Sequence, residues 1–230
     1  MFFDPVYLAF MLPGLLLSLW ASFKTRSAFN RYSRVRTASG ITGREAAARM
    51  LALGGIRDVE IKPTAGQLTD HYNPLTKTLA LSQGVYDQAS IAAVGVACRE
   101  AGHALQHAAG YAPLKLRSLL VKPASFGSQL GFYVMFFGLA FQWGGMFQIG
   151  AILFSAFVLF TLITLPVEFD ASNRAKRLAV EQGILAPQER DGMNRVLNAA
   201  ALTYVAAAAS SILTLIYFLM RAGVLGGQRD

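Results

Sequence analysis

Cysteine and histidine are scarce in this chain. One cysteine, Cys98, and three histidines, His71, His103 and His107, are all that its 230 residues contain. A single thiol excludes an internal disulfide framework and any zinc site built from four cysteines. Charge is scarce as well, at 15% of residues against about 25% in soluble domains. Acidic groups are fewer than basic ones, 13 against 21, for a net charge of +8. On so apolar a chain that excess reads as a topology signal and as contact with anionic lipid, with no nucleic-acid partner. What is abundant is hydrocarbon: 54% of residues are hydrophobic and the mean hydropathy is +0.41. That composition excludes a disordered or collagen-like chain and points to a membrane protein.

The uncharged runs mark the spans. Residues 5–23 form 19 uncharged residues. As a helix rising about 1.5 Å per residue, they match the hydrocarbon thickness of a bilayer. Only Asp4 precedes them and no clean small-residue cleavage site follows, so they read as a retained span rather than a removed signal. Residues 123–167 are 45 uncharged residues, about twice the length of one span. Gln142-Trp143-Gly144-Gly145 lies in their middle and predicts a tight turn between spans at 123–142 and 146–167. Residues 196–220 give a fourth span. Residues 24–122 carry 14 basic and 6 acidic residues, residues 168–195 carry five basic ones, and the 142–145 turn carries none. The positive-inside rule therefore puts 24–122 and 168–195 in the cytoplasm and both termini outside. The fold class expected is a mainly α membrane protein, four transmembrane helices with a small cytoplasmic α+β unit.

Within that unit, Thr42 and Glu45 fit a capping box opening a helix to about Leu53, with Gly54-Gly55 stopping it. Val59 and Ile61 alternate with Asp58, Glu60 and Lys62 as a short strand would. Residues 67–71 and 77–82 read as a hairpin turning at Tyr72-Asn73-Pro74. Residues 90–107 are Ala-rich and helical, closed by Gly110 and Pro113.

On that last helix Glu100, His103 and His107 occupy positions i, i+3 and i+7, within about 60° of one face. Two imidazoles and a carboxylate on one face can build a metal site; they can equally form a hydrogen-bonded polar stripe. Glu168 is a further candidate, the first charge after the 45-residue uncharged run.

Several longer stretches carry a resemblance. They are Leu68-Thr69-Asp70-His71-Tyr72-Asn73-Pro74, the block Gly110 to Ser118, Pro166-Val167-Glu168-Phe169-Asp170-Ala171-Ser172, and Leu197 to Val205. With the order of spans, they resemble the bacterial membrane neutral zinc metallopeptidases over nearly the whole chain. The resemblance implies a zincin-like cytoplasmic unit of the gluzincin kind, a His-Glu-x-x-His signature with a later Glu as third ligand, and a multi-pass protein of the bacterial inner membrane. It implies zinc as cofactor, the lipid bilayer as surroundings and a peptide or membrane protein as substrate, cut at the cytoplasmic face. Carried over residue by residue, Glu100 falls on the general base, His103 on the second ligand and Glu168 on the third. Oligomeric state does not follow from it.

At the first ligand position this chain has Arg99, giving Arg99-Glu100-Ala101-Gly102-His103. Guanidinium offers no lone pair and stays protonated, whereas a catalytic zinc takes three protein ligands and a water. His107 and His71 are the possible substitutes, the former at the cost of using Glu100 as a ligand. Cys98 lies about 100° further round the helix. Two functions follow: a membrane zinc metallopeptidase with Glu100 as base, or a catalytically inactive pseudopeptidase acting as a membrane binding or scaffolding protein. In the second, Arg99 fills the place of the cation and pairs with Glu168.

Overall fold

A computed structural model describes residues 5–224. The elements run α1 (Pro5–Tyr32), α2 (Gly43–Leu53), β1 (Glu60–Thr64), β2 (His71–Asn73), β3 (Thr78–Ser82), α3 (Gln83–Tyr86), α4 (Ile91–Ala108), α5 (Ala112–Phe126), a π-helical turn (Gly127–Gly131), α6 (Phe132–Ala140), α7 (Gly144–Glu181) and α8 (Arg190–Arg221). They form two compact units. One comprises residues 1–21, 115–165 and 203–230, of which 5–224 are described; the other comprises 22–114 and 166–202.

The first unit is helical and apolar. Its core gathers Met135, Phe147, Phe154, Val158, Tyr217 and Phe218. Backbones meet directly where glycine permits it: a Cβ on Gly131 would lie 2.7 Å from the Phe154 nitrogen, and one on Gly150 2.2 Å from the Met135 nitrogen. Such small-residue contacts characterise helices packed in lipid, where dispersion replaces the hydrophobic effect as the driving force.

Among the described residues, three helical stretches are long and apolar enough to cross a membrane: Pro5–Tyr32, Gly144–Glu181 and Pro187–Arg221. Residues 123–142, the other expected span, are not among them. Residues 123–142 are helical but divided, because α5 passes into the π-helical turn before α6 begins. The turn also differs from expectation. The left-handed residue is Gln142, at φ 55°, while Gly144 and Gly145 already belong to α7. That helix continues past residue 167 to Glu181 and carries Pro166 within it.

The second unit is α+β. β3 is the middle strand, parallel to β1 (Glu60 opposite Thr78) and antiparallel to β2 (His71 opposite Ala80). Its side chains Leu79, Ala80 and Leu81 are buried, as a central strand requires. β1 contains Pro63 and lies at an edge, where its missing N–H costs no ladder bond. The expected hairpin forms with its first strand at 71–73 rather than 67–71. Asn73 Oδ1 accepts from the Leu75 N–H at 2.9 Å, which moves the turn to the residues after Asn73.

α4 lies at the centre. Ala92, Ala93, Val94, Val96, Ala97, Cys98, Ala101 and Ala104 are all buried against α2, β3, α7 and α8 residues. A helix buried nearly all round must be built of small and apolar residues, and its few polar side chains need partners inside the protein. Burial pushes the Cys98 thiol up to about 12, which makes it an inert packing residue.

α2 opens on the expected capping box. The Glu45 N–H donates to Thr42 Oγ1 at 3.3 Å, and the Thr42 N–H donates to Glu45 Oε2 at 2.9 Å. Thr42→Ala removes one side of this exchange. It is expected to lower the unfolding free energy by about 1 kcal/mol, read as a shift in denaturant midpoint with unchanged slope.

Candidate functional site

α4 and α7 meet closely within the second unit because neither presents bulk at the contact. A Cβ on Gly102 would come within 2.8 Å of the Ala171 carbonyl oxygen. One residue on from Gly102 stands His103, and three residues before Ala171 stands Glu168. Both are buried, and His103 Nε2 lies 3.5 Å from Glu168 Oε2. Sixty-five positions of sequence are closed by this helix contact.

Glu100 is the third member, 3% exposed. Arg99 bends along the helix and donates to its Oε1 from Nη2 at 2.7 Å and from Nε at 3.1 Å. The guanidinium side chain is itself only 13% exposed. The cation at position 99 thus pairs with the carboxylate at position 100.

Burial opposes a charged His103. Its contact with Glu168, together with the negative charges of Glu100 and Glu168, outweighs this and raises the imidazole above its ordinary value. A third carboxylate borders the group. Asp70 accepts from the Ser82 N–H at 2.7 Å and hydroxyl at 3.0 Å. Burial, and secondarily the charge of Glu100, push its pKa up.

Gln106 escaped the sequence reading. It is fully buried, and its amide joins three partners. Nε2 donates to the Val167 carbonyl at 2.8 Å and to Asp170 Oδ2 at 2.8 Å, while Oε1 lies 3.0 Å from His103 Nδ1. Asp170 is held in turn by Arg174 Nε at 2.6 Å, and Arg174 lies over the Tyr111 ring. The signal available in sequence was a lone amide three residues after His103 in an Ala-rich helix.

The two proposed substitutes for the missing ligand go elsewhere. His107 Nδ1 and the Tyr72 hydroxyl share a hydrogen bond of 2.9 Å, in a small cavity also lined by Asp58 and Lys77. His71 is exposed, and its Nδ1 donates to the Thr69 carbonyl at 2.8 Å. Among the described residues no three His, Cys, Asp or Glu side chains come together as a group able to hold a metal ion. The donor set that does converge is one imidazole and one carboxylate, beside a second carboxylate already engaged by a guanidinium. That set does not fit a catalytic zinc, which asks for three donors around an open position.

A helix carrying an x-Glu-x-x-His pattern is crossed by a second helix that brings a later Glu to the His, beside a three-stranded sheet. Comparison with known proteins gives the family. Residues 7–223 match the model of a family described as "Putative neutral zinc metallopeptidase", and the chain belongs to that family. A relative from Bacillus subtilis (strain 168), "Putative membrane protease YugP", is 45% identical over 215 residues, covering 94% of this chain and 96% of that protein. No solved structure gives a significant match.

Proposed function

We propose that this chain is a metal-free member of its family, a membrane pseudopeptidase that binds or scaffolds rather than cuts. The observation carrying this reading is the Arg99–Glu100 pair. The residue that would act as general base gives its Oε1 to a permanent cation, and that cation occupies the helix position where the family pattern has its first ligand. A carboxylate so engaged has its Oε1 occupied and is turned from proton transfer to a water. The guanidinium offsets part of the negative charge of the buried carboxylates.

A second reading, a zinc peptidase, has its own support. Glu100, His103 and Glu168 retain their residue types, the latter two adjoin one another, and the relative from Bacillus subtilis is named as a membrane protease. Metal analysis of the purified protein separates the two. The pseudopeptidase carries no stoichiometric zinc and leaves unfolded casein intact with or without a chelator. About one zinc per chain, whose removal abolishes hydrolysis, would establish the peptidase instead.

The membrane arrangement belongs to the same proposal. The chain sits in the bacterial inner membrane, with residues 123–142 as a fourth crossing built of shorter helical pieces and with 24–122 and 168–195 on the cytoplasmic side. Its surroundings are the lipid bilayer and its partner a peptide or a membrane protein. The basic residues of 24–122 support this direction. Cysteines introduced by Glu60→Cys and Gly145→Cys test it in intact cells. An impermeant maleimide is expected to label position 145 and to spare position 60; labelling of position 60 from outside overturns the orientation.

A further inference from the structure

The polar contacts behind His103 run through Gln106. The two groups facing its Nε2 are the Val167 carbonyl oxygen and the Asp170 carboxylate, both at 2.8 Å. Each of these can only accept a hydrogen bond. The amide can therefore be oriented in one way, with both N–H groups spent on α7 and Oε1 turned to His103. An amide oxygen also only accepts, so the His103 Nδ1, 3.0 Å away, must carry a hydrogen. With Nδ1 committed, Nε2 is the ring nitrogen left on the Glu168 side, 3.5 Å from Oε2.

We propose that Gln106 is the positioning residue of this site: it fixes the tautomer and ring plane of His103, so that Nε2 faces Glu168 and the retained half of the site stays in the geometry of a ligand pair. Only the zinc arm of its test rests on the reading of Arg99 as the obstacle to metal. Asp170 completes the device by holding the amide from the far side, and Arg174 holds Asp170. Outer partners of this kind set the orientation and basicity of a ligating imidazole, and their loss costs about 10–100-fold in metal affinity.

The native chain and the Arg99→His variant test it together. In the native protein, labelled with nitrogen-15 at its three histidines, nitrogen chemical shifts at alkaline pH are expected to show a hydrogen on Nδ1 of His103. Gln106→Met, of similar length but without the acceptor, is expected to move that hydrogen toward Nε2. In the Arg99→His background, zinc affinity measured by chelator competition is expected to fall about 10–100-fold with Gln106→Met. The reversed pair, Gln106→Glu with Asp170→Asn, restores an acceptor toward His103 and moves the far-side donor to position 170, with loss of the bond to the Val167 carbonyl. It is expected to return both the Nδ1 hydrogen and most of the zinc affinity, an outcome that a mere packing role for Gln106 does not produce. Should Gln106→Met fail to fold, the reversed pair decides alone: an Nδ1 hydrogen supports the proposal and its absence overturns it. An unchanged His103 tautomer in folded Gln106→Met overturns it as well. Failure of Arg99→His itself to take up zinc, with the tautomer still following Gln106, sinks the sole-obstacle reading and leaves the positioning role standing.

Discussion

Arg99→His is expected to convert a protein without bound zinc into one holding about one zinc per chain. The substitution removes a cation from beside Glu100 and supplies a lone pair one helical turn before His103, on the face that already presents His103 to Glu168. It releases Glu100 from its two hydrogen bonds to the guanidinium. A chelator-sensitive peptidase activity against unfolded casein is the accompanying expectation. Glu100→Gln in that background is expected to keep zinc and to lose activity by about 10²–10⁴-fold, because a base contributes to proton transfer and not to ligation. Equal zinc content in the native and Arg99→His proteins would show that position 99 is no obstacle and that the ligand assignment is wrong. The comparison is decisive because it changes one side chain on a scaffold whose other site residues remain.

The largest effect on stability is expected at Gly102. A Cβ there stands 2.8 Å from the Ala171 carbonyl oxygen and 3.4 Å from the Ala171 Cα. The neighbour is helix backbone, with no side chain that can swing aside. Gly102→Val adds a branched side chain and must push α7 away from α4. The expected cost is about 3 kcal/mol, the upper part of the range for overpacked interiors, despite the better helix propensity of valine. The same displacement draws Glu168 away from His103 and the Val167 carbonyl away from Gln106. Thermal unfolding reads the first effect and the nitrogen shift of His103 the second. A variant as stable as the native chain, with an unaltered His103, would mean that the two helices are not held at this distance. Gly102→Ala is expected to give the same signs with a smaller size.

The helices and their contents were legible in the sequence, and so was the family. Uncharged runs of 19, 45 and 25 residues can only be long helices in or near lipid, because a backbone without water must satisfy itself within one element. The capping box at Thr42, the extent of α4 and the nearness of Glu168 to His103 were legible for similar reasons. Each depends on spacing along one helix or on a quoted motif. Where the reading missed, a local competitor decided. The β2 strand shifted because Asn73 bonds its own downstream backbone, and the turn after α6 settled on Gln142 at positive φ although two glycines stood next to it.

The tertiary structure alone decided which of the polar side chains meet. Nothing in the spacing of Arg99 and Glu100, adjacent on a helix and about 100° apart, dictates that the guanidinium folds back onto its neighbour's carboxylate. The assignment of His107 to Tyr72 and of His71 to the surface depends on where β2 lies against α4. Gln106 gained its meaning only when α7 brought a carbonyl and a carboxylate to its two N–H groups. The physical reason is common to all of these. Hydropathy and propensity act along the chain and are written in its order, whereas a buried hydrogen bond joins atoms from different elements and exists only when packing has removed the competing water.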